Sequence, residues 1–279
     1  MSIFRAFNPF IVLSIGLLVA TGCNAFEFMY SEDSDDPDVL FDDAKIALQN
    51  GDTEKAINLL EKALERAPDN PEIKIELTSA LFQDSDIDLL VMKDLAEFIS
   101  ETPATANKGF SLVSTQSMPA CNFGEGVSST ELDFTQDPAY QLLSDKEDVL
   151  QRALELLYDT LDTEEAAALH ANVLSNAHLM RAISNMAVAI IEIKEKADEA
   201  QATLHRLSNG SIGYCASNEE ALRALETFIV CDKLPAIDQA VTDLVNRQTL
   251  FSADDSDLAE ALDDARAEIT GAISVECAS

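Results

Sequence analysis

The run DVLFDDAKIALQNGDTEKAINLLEKALERAP, residues 38–68, decides how the rest of the chain is read. On both sides of Asn50-Gly51 its apolar residues recur at the three- and four-residue spacing of a helix face. Glycine behind an asparagine stops a helix, and Pro68 has no amide hydrogen for another turn. The run therefore predicts one helix from about Asp38 to Gln49 and a second from about Thr53 to Ala67. So short a connection makes them an antiparallel pair.

The second helix carries Ala56, Leu60, Ala63 and Pro68 at offsets that resemble those of the tetratricopeptide repeat, over Pro37 to Asn70. Alanines are needed where two helices approach closely, Leu60 fills the space between them, and Pro68 ends the helix so that another can begin. The first helix departs from the family pattern, with Leu40, Asp43, Ala44 and Ala47 at its aromatic, leucine, glycine and tyrosine positions. The resemblance implies an interaction module whose concave face is built from first helices. Leu40, Ala44, Ala47, Leu77 and Leu81 would stand there, although each also reads as packed core.

The next helix, about Pro71 to Phe82, sets Ile73, Leu77, Ala80 and Leu81 on one face and opens a second repeat. Asp84-Ser85-Asp86 is expected to cap a more apolar helix from Ile87 to Ile99, buried through Ile87, Val91, Leu95 and Phe98. That helix leaves the repeat pattern. One and a half to two degenerate repeats cannot stand alone, because a solenoid needs about three units to bury its faces.

Upstream, residues 1–22 have the layout of a secretory signal: a basic start with Arg5, an apolar stretch from Ile11 to Ala20, then small residues before Cys23. The stretch is too short for a helix crossing a hydrocarbon core, which needs roughly 20 apolar residues. Val19-Ala20-Thr21-Gly22-Cys23 resembles the lipobox of bacterial lipoproteins. The resemblance implies cleavage before Cys23 and acylation of that cysteine. Asn24 is not the aspartate that retains such proteins in the inner membrane, so outer-membrane attachment facing the periplasm is expected. Glu32-Asp33-Ser34-Asp35-Asp36-Pro37-Asp38 then reads as an acidic tether.

Downstream, residues 101–136 are rich in Ser, Thr, Gly, Pro and Asn and read as a long loop. Helix returns with Ser144 and Glu147 spaced as a capping box, followed by a stripe of Leu150, Leu154, Leu157 and Leu161. Thr163 to Leu207 contains no Gly or Pro. It is read either as one helix of about 65 Å or as two helices broken near Asn172 to Asn176. Ala182 to Ile193, interrupted by Ser184 and Asn185 and preceded by Arg181, reads as a central core helix.

Three helices are expected to finish the chain, about Asn218 to Val230, Leu234 to Gln248 and Asp257 to Ala272, the first opened by a Ser217/Glu220 capping box. The domain reading is thus a signal peptide over 1–22, a tether over 23–37, a tetratricopeptide-like region over 38–100, a loop over 101–136, and a helical bundle packed on that region over 137–279. The fold class is all-α, with almost no strand and one long central helix.

With Cys23 set aside for lipid, Cys121, Cys215, Cys231 and Cys277 form an even set in an exported chain and imply two disulfides. The helix expected between Cys215 and Cys231 holds them about 20 Å apart, beyond the reach of a disulfide. If the three last helices run up, down and up, Cys231 meets Cys277 and Cys121 pairs with Cys215. The other surviving pairing joins Cys121 to Cys231.

The net charge of −33, from 18 basic and 51 acidic residues, argues against nucleic acid and anionic lipid as partners. His170, His178 and His205 all fall in predicted helix without the spacing of a metal site, and no Cys-x-x-Cys pair is present. No phosphate loop, nucleophile elbow or dinucleotide fingerprint occurs. No cofactor is expected. The sequence therefore points to a non-catalytic scaffold or ligand-binding lipoprotein with an envelope protein or peptide as partner, ahead of a component of an outer-membrane assembly or transport complex. A hydrolase stands last.

Overall fold

The computed structural model describes residues 34–100, 128–158, 160–207, 212–216, 218–250, 266–267 and 269. After Pro68 the chain divides into two compact units.

In the first, α1 (Pro37–Gln49) and α2 (Thr53–Arg66) pack against each other. Asp36 and Asp52 cap their amino ends through their side chains. Between the helices Gly51 adopts φ 79°, its amide donates to the Leu48 carbonyl, and the Asp52 amide donates to the Ala47 carbonyl. These two bonds satisfy carbonyls the helix end would leave open, and only a residue at ease with positive φ can make them. Leu40, Ala44 and Ala47 from α1 face Ala56, Leu59, Leu60 and Ala63 from α2, all buried. The expected hairpin is present, with boundaries within a residue or so of those read from the sequence.

The second unit is built around one helix. It begins with α3 (Pro71–Asp84), capped by Asn70, and α4 (Leu89–Ser100). Asp84-Ser85-Asp86 does not start α4, as expected, but closes α3. Asp86 takes φ 56° and the Ile87 amide returns to the Phe82 carbonyl, the same closure as at Gly51. Asp88 is the cap of α4, accepting from the Leu90 and Val91 amides.

After residue 127 come β1 (Ser129–Glu131), a 3-10 turn (Phe134–Gln136), α5 (Pro138–Asp145), α6 (Glu147–Leu157), a short α7 (Glu164–Ala167) and α8 (Ala171–Glu199). The described end of the region read as a loop over 101–136 thus holds regular structure. The Ser144/Glu147 capping box is not formed. Asp137 and Pro138 start a helix earlier, Ser144 lies inside it, and α6 follows Lys146 without a side-chain cap. The long run from Thr163 breaks at Ala168–His170, just before the stretch expected to break.

A second departure follows α8. Gln201 turns the chain with φ 51°, and residues 202–207 form β2 (Ala202–Leu207) instead of prolonging the helix. It pairs antiparallel with β3 (Ile212–Ala216) on one side and with β1 on the other. The expectation of almost no strand is corrected to one small three-stranded sheet beside an otherwise helical unit. One face sets Ala202 and Leu204 into the main core, while Leu207 on the other face is buried against Cys215.

Asn218, not Ser217, supplies the cap of α9 (Glu219–Thr227). A π-helical turn (Phe228–Lys233) carries α9 directly into α10 (Leu234–Leu250). The up-down turn assumed between these two helices is therefore not made. α8 runs through the middle of the unit, packing on α10, α6, α3, α5, α4 and β2. Its buried face includes Leu174, Ala177, Ala187 and Ile191, and the leucine stripe of α6 meets it through Leu150 and Leu157. Ile269, in the region of the last expected helix, is helical and packs on Val230, Leu234, Ile237 and Val241.

Candidate functional site

Ala56, Leu60 and Ala63 are completely buried in the α1–α2 contact, so each serves the packing for which the repeat pattern selects small or filling residues. Leu40, Ala44, Ala47 and Leu77 are likewise core, while Leu81 is half-buried. Four of the five positions expected to line a concave face are spent on the interior, Leu81 being the exception.

The three histidines separate. His170 precedes α8 and makes no side-chain cap, His205 lies on β2, and His178 sits inside α8 at the centre of the second unit. There His178 and Arg181, one turn apart, meet Asp243 of α10. Nδ1 of His178 lies 2.9 Å from Asp243 Oδ1, and the guanidinium of Arg181 grips both carboxylate oxygens, Nε–Oδ2 at 2.9 Å and Nη2–Oδ1 at 2.7 Å. The remaining Arg181 nitrogen donates to the Tyr158 carbonyl at 3.1 Å, at the open end of α6. Arg181 is 2% exposed and Asp243 0%.

A histidine does meet a carboxylate, which is the juxtaposition an acid–base site would need. Both oxygens of Asp243 also accept from the buried guanidinium of Arg181, so the same carboxylate balances a buried positive charge. The cluster joins α8, α10 and the carboxyl end of α6. Sequence reading passed over it because its members lie 62 and 65 positions apart. The available signal was a charged residue on each side of an apolar stripe: Arg181 before Ala182–Ile193, and Asp243 between Val241 and Leu244.

Beside the cluster an apolar groove of about 230 Å³ runs between α4, α8 and α10, lined by Met92, Leu95, Ile183, Met186, Ile190 and Leu244 among others. Neither His178 nor Asp243 lines it. Among the described residues, no group of three or more His, Cys, Asp or Glu could hold a metal ion, and no helix is long and apolar enough to cross a membrane.

Cys215 is buried on β3 opposite Thr203, and Cys231 lies in the π-helical turn; both are disulfide-bonded. Thr203 Oγ1 is 3.2 Å from the Cys215 sulfur and 2.9 Å from His205 Nε2. Cys23, Cys121 and Cys277 lie outside the described residues, as does the signal segment. Tyr140, on α5, has its hydroxyl pushed up to about 12 by burial first, with the carboxylates of Glu195 and Asp198 adding to the effect.

A tetratricopeptide repeat family model matches residues 24–81. No curated protein and no solved structure matches the chain. The amino-terminal helical region is therefore similar to repeats whose general use is contact with other proteins, and the described residues are mostly helical.

Proposed function

We propose that this protein is a non-catalytic, lipid-anchored interaction module of the bacterial envelope, held to the outer membrane through Cys23 and facing the periplasm. The observation that carries the reading is the buried Ala56–Leu60–Ala63 contact inside a segment matched by a protein-contact repeat. The lipobox-like sequence ending at Cys23 supports the location. Several acyl chains, at about 0.8 kcal/mol per buried methylene, hold a protein stably where a single chain does not.

Two features argue against catalysis. Asp243 spends both oxygens on Arg181, and the apolar groove lacks the His178–Asp243 pair. The disulfides extend the reading. Cys231 packs on the cluster that contains Ile269, which favours a bridge to Cys277 farther along that segment. Cys215, in the same sheet as β1, then pairs with Cys121 upstream of that strand. Peptide mapping that joined Cys121 to Cys231 would reject this pairing.

Copurification after mild detergent extraction tests the function. The wild-type chain should bring down a partner in fixed ratio, and Cys23→Ser, released from the membrane, should still bind that partner when it is added back. A stable membrane complex lost entirely in Cys23→Ser would favour a structural component of an outer-membrane assembly. Turnover of a chromogenic ester or peptide by the purified chain, lost in His178→Ala, would contradict the non-catalytic reading.

A further inference from the structure

The groove between α4, α8 and α10 continues into exposed apolar surface. Leu89 and Leu90, in the first turn of α4, are 52% and 65% exposed. Leu89 is part of the lining itself, with Met92 one turn further along. Large aliphatic side chains left in water forgo the gain of burial. Leu89 at the mouth of the groove, with exposed Leu90 next to it in the chain, therefore marks a place that another surface covers.

The volume decides between kinds of occupant. Pockets that enclose small molecules span about 300–1,000 Å³, and this groove holds about 230 Å³. That room suits one or two large apolar side chains of a surface laid across it. Met92 and Met186 form part of the wall, and unbranched thioethers re-pack around differing side chains at little cost.

Charge decides the flank. Asp86, Asp88 and Asp94 are exposed on the segment that forms one wall, against a single cation there, Lys93, in a chain of net charge −33. A partner with an acidic rim would be repelled, and one with a basic rim would be drawn in.

The geometry points to a docking site for an amphipathic helix of a protein partner, one or two of its apolar residues at i and i+3 or i+4 set into the groove over Leu89, Met92 and Met186, with lysine or arginine along its flank. This assignment rests on the reading of the chain as an interaction module and names the surface and the partner chemistry. It differs from the tetratricopeptide-like hairpin, since none of its walls lies within residues 24–81.

Fluorescence anisotropy of the full mature chain with a labelled Leu/Lys helix of about 18 residues, at roughly 0.15 M salt, tests the assignment. We expect saturable one-to-one binding. It should weaken about tenfold in the double variant Leu89→Ser/Leu90→Ser, whose exposed positions leave the fold intact, and by a similar factor when the peptide lysines are changed to glutamate. Asp94→Asn should lower the association rate and its salt dependence.

Equal binding of a scrambled Leu/Lys peptide, or no effect of the double variant, would overturn the assignment. So would a dimer whose interface protects Met186 from hydroxyl radicals, or a monomer that protects Met186 and binds no peptide. The first would give the groove to a second copy, and the other to the chain's own segments. Absence of peptide binding while the detergent-extracted partner is retained sinks the groove alone. Peptide binding without any copurifying partner sinks the broader function and leaves the groove standing.

Discussion

The α1–α2 hairpin and the α8 bundle solve the same problem, helix against helix, with opposite materials. The hairpin buries alanines and leucines between two helices joined by one short turn. The bundle buries an arginine, an aspartate and a histidine at its centre, brought together across more than sixty positions. Small apolar residues permit close approach and tolerate modest errors of register, whereas a buried guanidinium requires its carboxylate in one place. The hairpin is thus specified locally, and the bundle by one long-range match.

Breaking the bundle's match should have the largest effect. Asp243→Ala leaves Arg181 charged and without its buried counterion, and denaturant unfolding should show a loss of about 3–5 kcal/mol. Leu60→Ala, which opens a cavity between α1 and α2, should cost about 2–5 kcal/mol, toward the lower end if α1 relaxes onto α2. The comparison sharpens with Arg181→Met/Asp243→Leu. Removing both charges together should recover most of the loss, to within about 1–2 kcal/mol of wild type, while combining Leu60→Ala with Asp243→Ala should simply add.

Smaller effects follow at the edges of each region. Asp52→Ala removes the carboxylate that accepts from the Lys55 amide at the start of α2 and should cost about 1 kcal/mol. In the bundle, the raised Tyr140 hydroxyl has a definite sign. Its contribution is whole below the ordinary tyrosine value of 10.0 and is lost as pH rises through about 12. Wild type should therefore lose stability over that window more steeply than Tyr140→Phe.

The same contrast explains what was legible. Asn50-Gly51, Pro68 and the spacing of Ala56, Leu60 and Ala63 placed the hairpin because every signal acts within one turn or one connection. The stripes of α6, α8 and α10 were legible for the same reason. Capping residues were read from a pattern that nearby alternatives also satisfy. Asp88 and Asn218, next to their helices, take the place of Asp84 and Ser217, whereas Ser144 is absorbed into the earlier helix that Asp137 starts.

The sheet was missed because residues 202–207 contain no helix breaker. Asn209-Gly210 between the two runs is the local sign of a turn there, though neither run alternates cleanly enough to announce a strand. Of the ion cluster only its members were legible, as charges set in apolar stripes; their pairing was not, since neither Arg181 nor Asp243 carries a local sign of the other. The groove, formed from three distant helices, was hidden for the same reason.

The claim that the folded part works from a membrane tether is tested most directly by the intact mass of the protein taken from native membranes. The account predicts a chain beginning at Cys23, lacking residues 1–22 and carrying the added mass of acyl groups on that cysteine. A chain that retains Met1, or one cleaved elsewhere and free of acyl mass, would contradict it.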